Sequence, residues 1–399
     1  MSQRQGTASE ALAIQPGQAG FTPARRIYLD HNATTPVHPE VVETILPYLR
    51  GVFGNPSSAH AYGPPARRAV DRAREQVASL LGCRPDEVVF TSGGTEANNL
   101  ASRGAAERSP RRHIVTSTVE HPATEAPCAH LETLGFTVSR VPVDEHGRVR
   151  IGVLGGVVTD RTALVTVILA QNETGTLMPL PAIAALAHAS GAVVHTDAAQ
   201  GVGKVRTRVD ELGVDLLSVA GHKLYAPKGV GALYVRRGTL LAPLVRGAGH
   251  ERGLRPGTEN VASSVGLGKA CELAERDMNA ESARQRQLRD ELWERLHAGI
   301  PGLRLNGHPH ERLPNTLNVA FPGVLGTALL AAAPEIAAST GSACHAGEES
   351  PSPILMAMGL KAGVALGAVR LSLGRSTTSD DVAIAASALL RAYRTLRGA

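Results

Sequence analysis

The 399 residues are 43% hydrophobic and 19% charged, an ordinary balance for a globular chain long enough to form two domains. The net charge of +5 comes from scattered Lys and Arg with no basic run interleaved with aromatics, so direct nucleic-acid binding is not indicated. No stretch of about 18 apolar residues is present to span a membrane. The cysteines, at 83, 128, 271 and 344, lie far apart without a CxxC pair, which argues against a disulfide framework or zinc site and for reduced thiols in a cytoplasm.

In chain order, residues 1–26 are rich in Gln, Gly, Ala and Ser and lack a signal-peptide core, so they read as a disordered extension. Residues 67–81 place Val70, Val77, Leu80 and Leu81 at near-helical spacing, with Gly82 as the stop. Strands are expected at 88–90, 113–117, 163–169, 192–195, 216–219 and 231–235, separated by helical stretches such as 183–189. Most of these strands are continuous apolar runs, as in strands covered on both faces. The alternation predicts an α/β fold with a mostly parallel sheet flanked by helices. Residues 261–297 read as one or two helices leaving that sheet, and 315–321 and 368–373 as strands of a smaller unit. The expected division is a large domain over 27–270, whose N-terminal segment can pack on the small one, and a small C-terminal α+β domain over 271–399.

Three stretches carry chemistry. Thr91-Ser92-Gly93-Gly94-Thr95-Glu96-Ala97-Asn98-Asn99 follows a strand and opens a helix, a place where glycines and free N–H groups can cradle a phosphate. A glycine turn with a capping threonine explains the same residues equally well. Asp197, in His195-Thr196-Asp197-Ala198-Ala199-Gln200, ends a strand at the sheet edge where ligands gather. There it can pair with a protonated pyridine nitrogen or cap a helix. Lys223, in Gly221-His222-Lys223, follows an apolar strand, and partial desolvation there would free its amine to form a Schiff base. A surface lysine is the plain alternative.

Taken with Tyr28-Leu29-Asp30-His31-Asn32-Ala33-Thr34-Thr35-Pro36, Gly54-Asn55-Pro56-Ser57-Ser58, Val119-Glu120-His121-Pro122, Asn172-Glu173-Thr174-Gly175, Arg255-Pro256-Gly257-Thr258-Glu259-Asn260, Gly341-Ser342-Ala343-Cys344 and Arg370-Leu371-Ser372-Leu373-Gly374-Arg375, these stretches set a pattern. The chain resembles the cysteine desulfurase and selenocysteine lyase group of fold-type I pyridoxal-phosphate (PLP) enzymes, within the class V aminotransferases. The resemblance runs from about residue 27 to 390. It implies that Lys223 carries the cofactor as a Schiff base and that Asp197 pairs with the ring nitrogen. It also implies that His121 stacks on the ring and moves protons, and that Asn172 and Gln200 lie near the ring hydroxyl. Gly94, Thr95 and His222 would hold the phosphate, with Thr258 reaching the cofactor of a second subunit in a homodimer. Arg370, with Asn172, would bind the carboxylate of L-cysteine.

Cys344 lies in a polar, proline-bounded stretch beside His345, which reads as a mobile loop with an available thiolate. By resemblance it takes the sulfur as a persulfide, leaving alanine, and passes it to an acceptor such as an iron–sulfur scaffold or a tRNA- or DNA-thiolation protein. Cys83, Cys128 and Cys271 read as structural. Selenocysteine lyase is the nearest alternative, followed by an ordinary class V aminotransferase and by a non-catalytic scaffold in a sulfur-transfer or nucleic-acid-modifying assembly. Two departures from the pattern stand out: Ala220 where Ser is common before Gly-His-Lys, and Gln171 where Asn is common.

Overall fold

A computed structural model describes residues 26–340 and 350–398. Cys344 and, apart from Arg26, the expected N-terminal extension lie outside the described residues.

At the start of the described chain, β1 (Ile27–Tyr28) stands apart from the main sheet. That sheet comprises β2 (Val88–Thr91), β3 (His113–Ser117), β4 (Thr137–Val141), β5 (Thr162–Thr166), β6 (Val193–Asp197), β7 (Leu216–Ala220) and β8 (Gly231–Val235). Their order across the sheet is β2-β8-β7-β6-β5-β3-β4. β3 to β7 run parallel, and β8 lies antiparallel to both of its neighbours. Successive side chains on a strand point to opposite faces, and here both faces are apolar. Val115, Val165, Val194 and Leu217 join one core, while Ile114, Leu164, Leu216 and Leu233 join the core on the other side. The continuous apolar runs in the sequence record this double burial.

The smaller sheet contains β9 (Arg304–Leu305), β10 (Thr316–Ala320) and β12 (Ala368–Ser372), in the order β12-β10-β9 and antiparallel throughout. Beside it, β1 pairs in parallel with β11 (Ile336–Ala337). Ile27 and Leu29 accordingly enter the same core as Leu317, Val319, Leu371 and Leu389. The region 261–299 is a single 39-residue helix, Val261–Gly299, about 58 Å long at 1.5 Å per residue. Leu267, Ala270 and Leu273 in its first half enter the core of the main sheet; Leu288, Leu292 and Leu296 in its second half enter that of the small sheet. Among the described residues, no helix is long and apolar enough to cross a membrane.

Two differences from the expected strands shape the carboxyl edge of the main sheet. β5 stops at Thr166, short of 169, so Val167 to Leu169 leave the ladder at that edge, although the N–H groups of Val167 and Leu169 still bond to the carbonyls of His195 and Asp197. β6 runs on to Asp197, which brings its carboxylate to the sheet edge. Glycine is needed at 231: a Cβ there would lie 2.4 Å from the Val219 carbonyl and 2.7 Å from Gly93 Cα. This close approach presses β8 against the turn that opens the helix Gly94–Arg108.

Candidate active site

The C-terminal ends of β6 and β7 and the N-terminus of the helix Gly94–Arg108 border a cavity of about 370 Å³. Asp197 is buried at its base. Its Oδ2 accepts a 2.7 Å hydrogen bond from Asn98 Nδ2, and its Oδ1 accepts one of 2.9 Å from the Ala199 backbone. The capping bond and the cavity carboxylate therefore coexist. Asn98 sits one helical turn after Gly94, on the same helix face, so the turn that offers free N–H groups also fixes the acid. Gly94 and Thr95 both line the cavity, at a helix end where N–H groups lack intrahelical partners.

Lys223 sits in the short 3-10 turn Gly221–Lys223 that follows β7. Its Nζ donates to the backbone carbonyls of Asn32 and Ala33, at 2.5 and 2.7 Å. Burial pushes this ammonium down to about 8; the Arg370 cation adds to the effect, and Asp30 and Asp197 oppose it. An amine with that pKa is neutral for a useful fraction of the time near neutrality, as a carbonyl-capturing lysine requires. His222, next to it, shares a 3.1 Å hydrogen bond with the Thr34 hydroxyl through Nδ1. Burial, followed by the charges of Lys223, Lys228 and Lys204, pushes its pKa down to about 4.

His121 caps the helix Pro122–Thr133, its Nδ1 accepting from the Ala123 backbone at 3.1 Å. With Nδ1 as acceptor, the neutral ring carries its proton on Nε2. Desolvation holds this imidazole below its usual range against the pull of Asp197, with Lys223 lowering it further. The preceding residue, Glu120, is buried and pushed up to about 8 by that burial. Its Oε1 accepts from the Ser117 hydroxyl and the Ile168 backbone, which braces the His121 turn against the segment that leaves β5.

Arg370, on β12, is 6% exposed. Its Nη2 donates to Asp30 Oδ1 at 2.7 Å and its Nη1 to the Asn172 carbonyl at 3.2 Å. Its Nε is buried and has no partner among the described residues, while the residue as a whole lines the cavity. Asn172 and Gln200 line the same space.

The structure thus brings Gly94, Thr95, His121, Asn172, Asp197, Gln200, His222, Lys223 and Arg370 to one cavity. Thr258 is exposed and does not line the cavity of its own chain. Ala220 lines it with a methyl group where a serine would offer a hydroxyl. Gln171 instead folds the Asn172 turn, its Oε1 accepting from the backbones of Glu173 and Thr174. Cys128 and Cys271 are buried and Cys83 is half-buried; burial raises all three thiols, Cys83 and Cys128 to about 12.

Asn32 and Asn98 lie inside quoted motifs, but sequence reasoning gave neither a role. Asn32 joins three parts of the chain. Its carbonyl accepts from Lys223 and Gln200, its Nδ2 donates to the Asn172 carbonyl and Thr316 Oγ1, and its Oδ1 accepts from Asn315. The helical spacing from Gly94 was the available signal for Asn98. Asn32 gave no local signal of its role, because its carbonyl and its carboxamide both bond to distant parts of the chain.

A buried carboxylate for a ring nitrogen, a helix N-terminus for a phosphate, and a lysine of lowered basicity at the carboxyl edge of a parallel sheet fit pyridoxal phosphate. They define a PLP enzyme of the fold-type I class. The chain belongs to the class-V aminotransferase family, whose model matches residues 27–384. It is 48% identical over 359 residues to the cysteine desulfurase of Trichormus azollae, covering 89% of this chain and 90% of that one. It is 45% identical over 360 residues to the cysteine desulfurase NifS of Azotobacter vinelandii, covering 89% and 90%. Among solved structures, a NifS-like protein matches with a TM-score of 0.86 at 35% identity, covering 94% of this chain and all of that one.

Proposed function

We propose that the chain is a PLP-dependent cysteine desulfurase, which converts L-cysteine to L-alanine and passes the sulfur through a persulfide on Cys344 to an acceptor protein. The observation that carries this reading is the convergence of Lys223, Asp197 and Arg370 on one cavity, in a chain similar over most of its length to named cysteine desulfurases.

When bound, pyridoxal phosphate supplies the electron sink that makes a proton on the substrate Cα removable. The residues do the rest. Asp197 keeps a proton on the ring nitrogen. Gly94, Thr95 and His222 would hold its phosphate, and His121 would lie against its ring. Asn172 and Gln200 address the ring hydroxyl. Arg370 receives the substrate carboxylate, with Asn172 lying alongside. Lys223, neutral at Nζ, takes the Cα proton. The Cys344 thiolate then attacks the substrate sulfur: the S–S bond forms, the Cβ–S bond breaks with its electron pair going to Cβ, and Cβ is protonated to a methyl group. Cysteine plus thiol equals alanine plus persulfide, so no outside oxidant is needed.

In this reading the acceptor is an iron–sulfur scaffold or a tRNA- or DNA-thiolation protein. The enzyme is a homodimer in which Thr258 serves the neighbour's cofactor; its exposure outside its own cavity supports this. The free thiols Cys83, Cys128 and Cys271 suit a reducing cytoplasm. The proposed division is a cofactor domain over 27–270 and a small domain over 271–399; the core beside the small sheet supports the second unit, although Leu273, Leu313, Ile354, Leu355 and Leu360 of that span enter the core of the main sheet.

The test is to incubate cofactor-loaded protein with L-cysteine and a thiol reductant and to quantify alanine and sulfide. One alanine per sulfide, without any keto acid, is expected. Alanine formation that depends on an added keto acid would point to an aminotransferase.

A further inference from the structure

Four residues beyond Gln200, on the turn that leaves β6, lies a lysine that the proposed reaction does not use. Lys204 is 9% exposed, and the helix Val261–Gly299 covers it, with Ser282 Oγ donating to the Lys204 carbonyl. A lysine buried this deeply is rare unless something pairs with it. No carboxylate among the described residues does so. Its Nζ makes two hydrogen bonds, both to one residue: Gln200 Oε1 at 3.0 Å and the Gln200 carbonyl at 3.2 Å.

An ammonium can only donate, and a carboxamide has one accepting end and one donating end. With Oε1 committed to Lys204, the Gln200 amide cannot rotate to present its oxygen elsewhere without leaving a buried cation with only the Gln200 backbone carbonyl as acceptor. Its Nε2 must face the other way. One N–H of that nitrogen goes to the Asn32 carbonyl at 2.9 Å, the same oxygen that accepts from Lys223. Gln200 itself lines the cavity, which the second N–H can address.

We propose that Lys204 is a positioning residue that locks the Gln200 amide with its N–H side toward the cofactor, so that the ring hydroxyl oxygen meets a donor and is held as the anion. The inference rests on the proposed placement of Gln200 beside that hydroxyl. Two effects then act in the same direction on the loaded site. The amide donor stabilises the phenolate oxygen, and the nearby ammonium favours negative charge there. Both favour the deprotonated form of the cofactor–lysine linkage. Desolvation, followed by Lys223 and Arg370, pushes Lys204 down to about 7, so the ammonium and the lock it makes are fully formed below that pH. Charged and titratable groups face it from every side. Lys223, Arg370 and His222 lie toward the cavity, His31 is on the segment after β1, and Glu281 of the long helix lines the small chamber that Lys204 shares.

The test is a spectroscopic pH titration of the cofactor-loaded enzyme, which reads the protonation of the cofactor–lysine linkage independently of turnover. Lys204→Met removes the lock and the charge, and should raise the titration midpoint by about one unit or more. Lys204→Arg, which keeps a buried donor, should return it toward the wild-type value. Gln200→Glu keeps a partner for Lys204 while removing the N–H, and should also raise the midpoint; it serves as the decisive variant if Lys204→Met fails to fold. A folded, cofactor-loaded Lys204→Met or Gln200→Glu protein with the wild-type midpoint would overturn the proposal and leave Lys204 as packing. If wild-type protein binds no cofactor, the functional reading itself has failed, and that is evident before any variant is made.

Discussion

The two edges of the main sheet both carry hollows, and the larger one is not the site. At the amino-terminal edge, a hollow of about 710 Å³ is bordered by Arg111, Arg112, His113, Thr137 and Arg161. Two of its arginines are spent on the fold: Arg111 Nη1 donates to the carbonyls of Thr162, Ser190 and Gly191, and Arg112 lies 4.7 Å over the Phe136 ring. The cavity at the carboxyl edge has about half that volume, yet in and beside it burial has moved a lysine, two histidines and a glutamate off their usual pKa values. Volume does not make a site. Polar groups that converge, stay desolvated and keep a donor or acceptor uncommitted do.

Substitutions at the two edges should therefore separate cleanly. The largest effect is expected at Lys223: Lys223→Ala should lose at least about 10³-fold in turnover, together with the visible absorption of the bound cofactor. Because its amine sits near a pKa of about 8, the rate at which apo-protein captures pyridoxal phosphate should rise with pH through that value. Wild-type turnover by Lys223→Ala would break the comparison at its centre.

Next comes Arg370→Ala, which should leave the cofactor bound and weaken cysteine binding by about 2–5 kcal/mol, the usual result of removing one partner of a buried charge pair. Steady-state kinetics would show it as a steep rise in KM, and an unchanged KM would count against the assignment.

Glu120→Gln sharpens the contrast through stability. Since burial raises this carboxyl to about 8, folding takes up a proton between the ordinary carboxylate range and that pH. Wild-type stability should accordingly fall as pH rises from about 5 to 8, by up to a few kcal/mol, and then level off. Denaturant melts of Glu120→Gln should lack that slope, and identical slopes would refute the assignment.

The smallest effect on catalysis belongs to the opposite edge. Arg111→Ala should cost about 1–3 kcal/mol of stability by stripping three carbonyls of their donor, while kcat and KM stay within about twofold of wild type. A loss of activity comparable to that of Arg370→Ala would mean that the larger hollow takes part in the reaction.

Much of this architecture was legible because double burial leaves a local trace. The runs at 88–90, 113–117, 216–219 and 231–235 became strands because an unbroken apolar stretch bounded by turn residues suits a strand covered on both faces. Asp197 and Lys223 were visible for a related reason: a charged residue just after such a run must lie at the sheet edge. Other features have no local trace. β5 ends at Thr166 although the apolar run continues to Leu169, because Val167 to Leu169 turn inward beside the cavity. Asn32 acts through its carbonyl and through partners more than 100 residues away. Lys204 looks like any surface lysine until the long helix covers it. The four-residue step from Gln200 was the only hint, and it acquires meaning only once the turn is folded.

The central claim, that this cavity works with Cys344 to remove sulfur from cysteine, is tested most directly by mapping the sulfur. Cofactor-loaded wild-type protein is treated with L-cysteine, alkylated and digested, and the peptides containing Cys83, Cys128, Cys271 and Cys344 are weighed. The account predicts one added sulfur atom on Cys344 and none on the three buried or half-buried thiols. It also predicts that Cys344→Ser keeps its cofactor, makes no alanine from L-cysteine and retains residual activity on L-selenocysteine. Added sulfur on Cys83, Cys128 or Cys271, or normal cysteine conversion by Cys344→Ser, would contradict it.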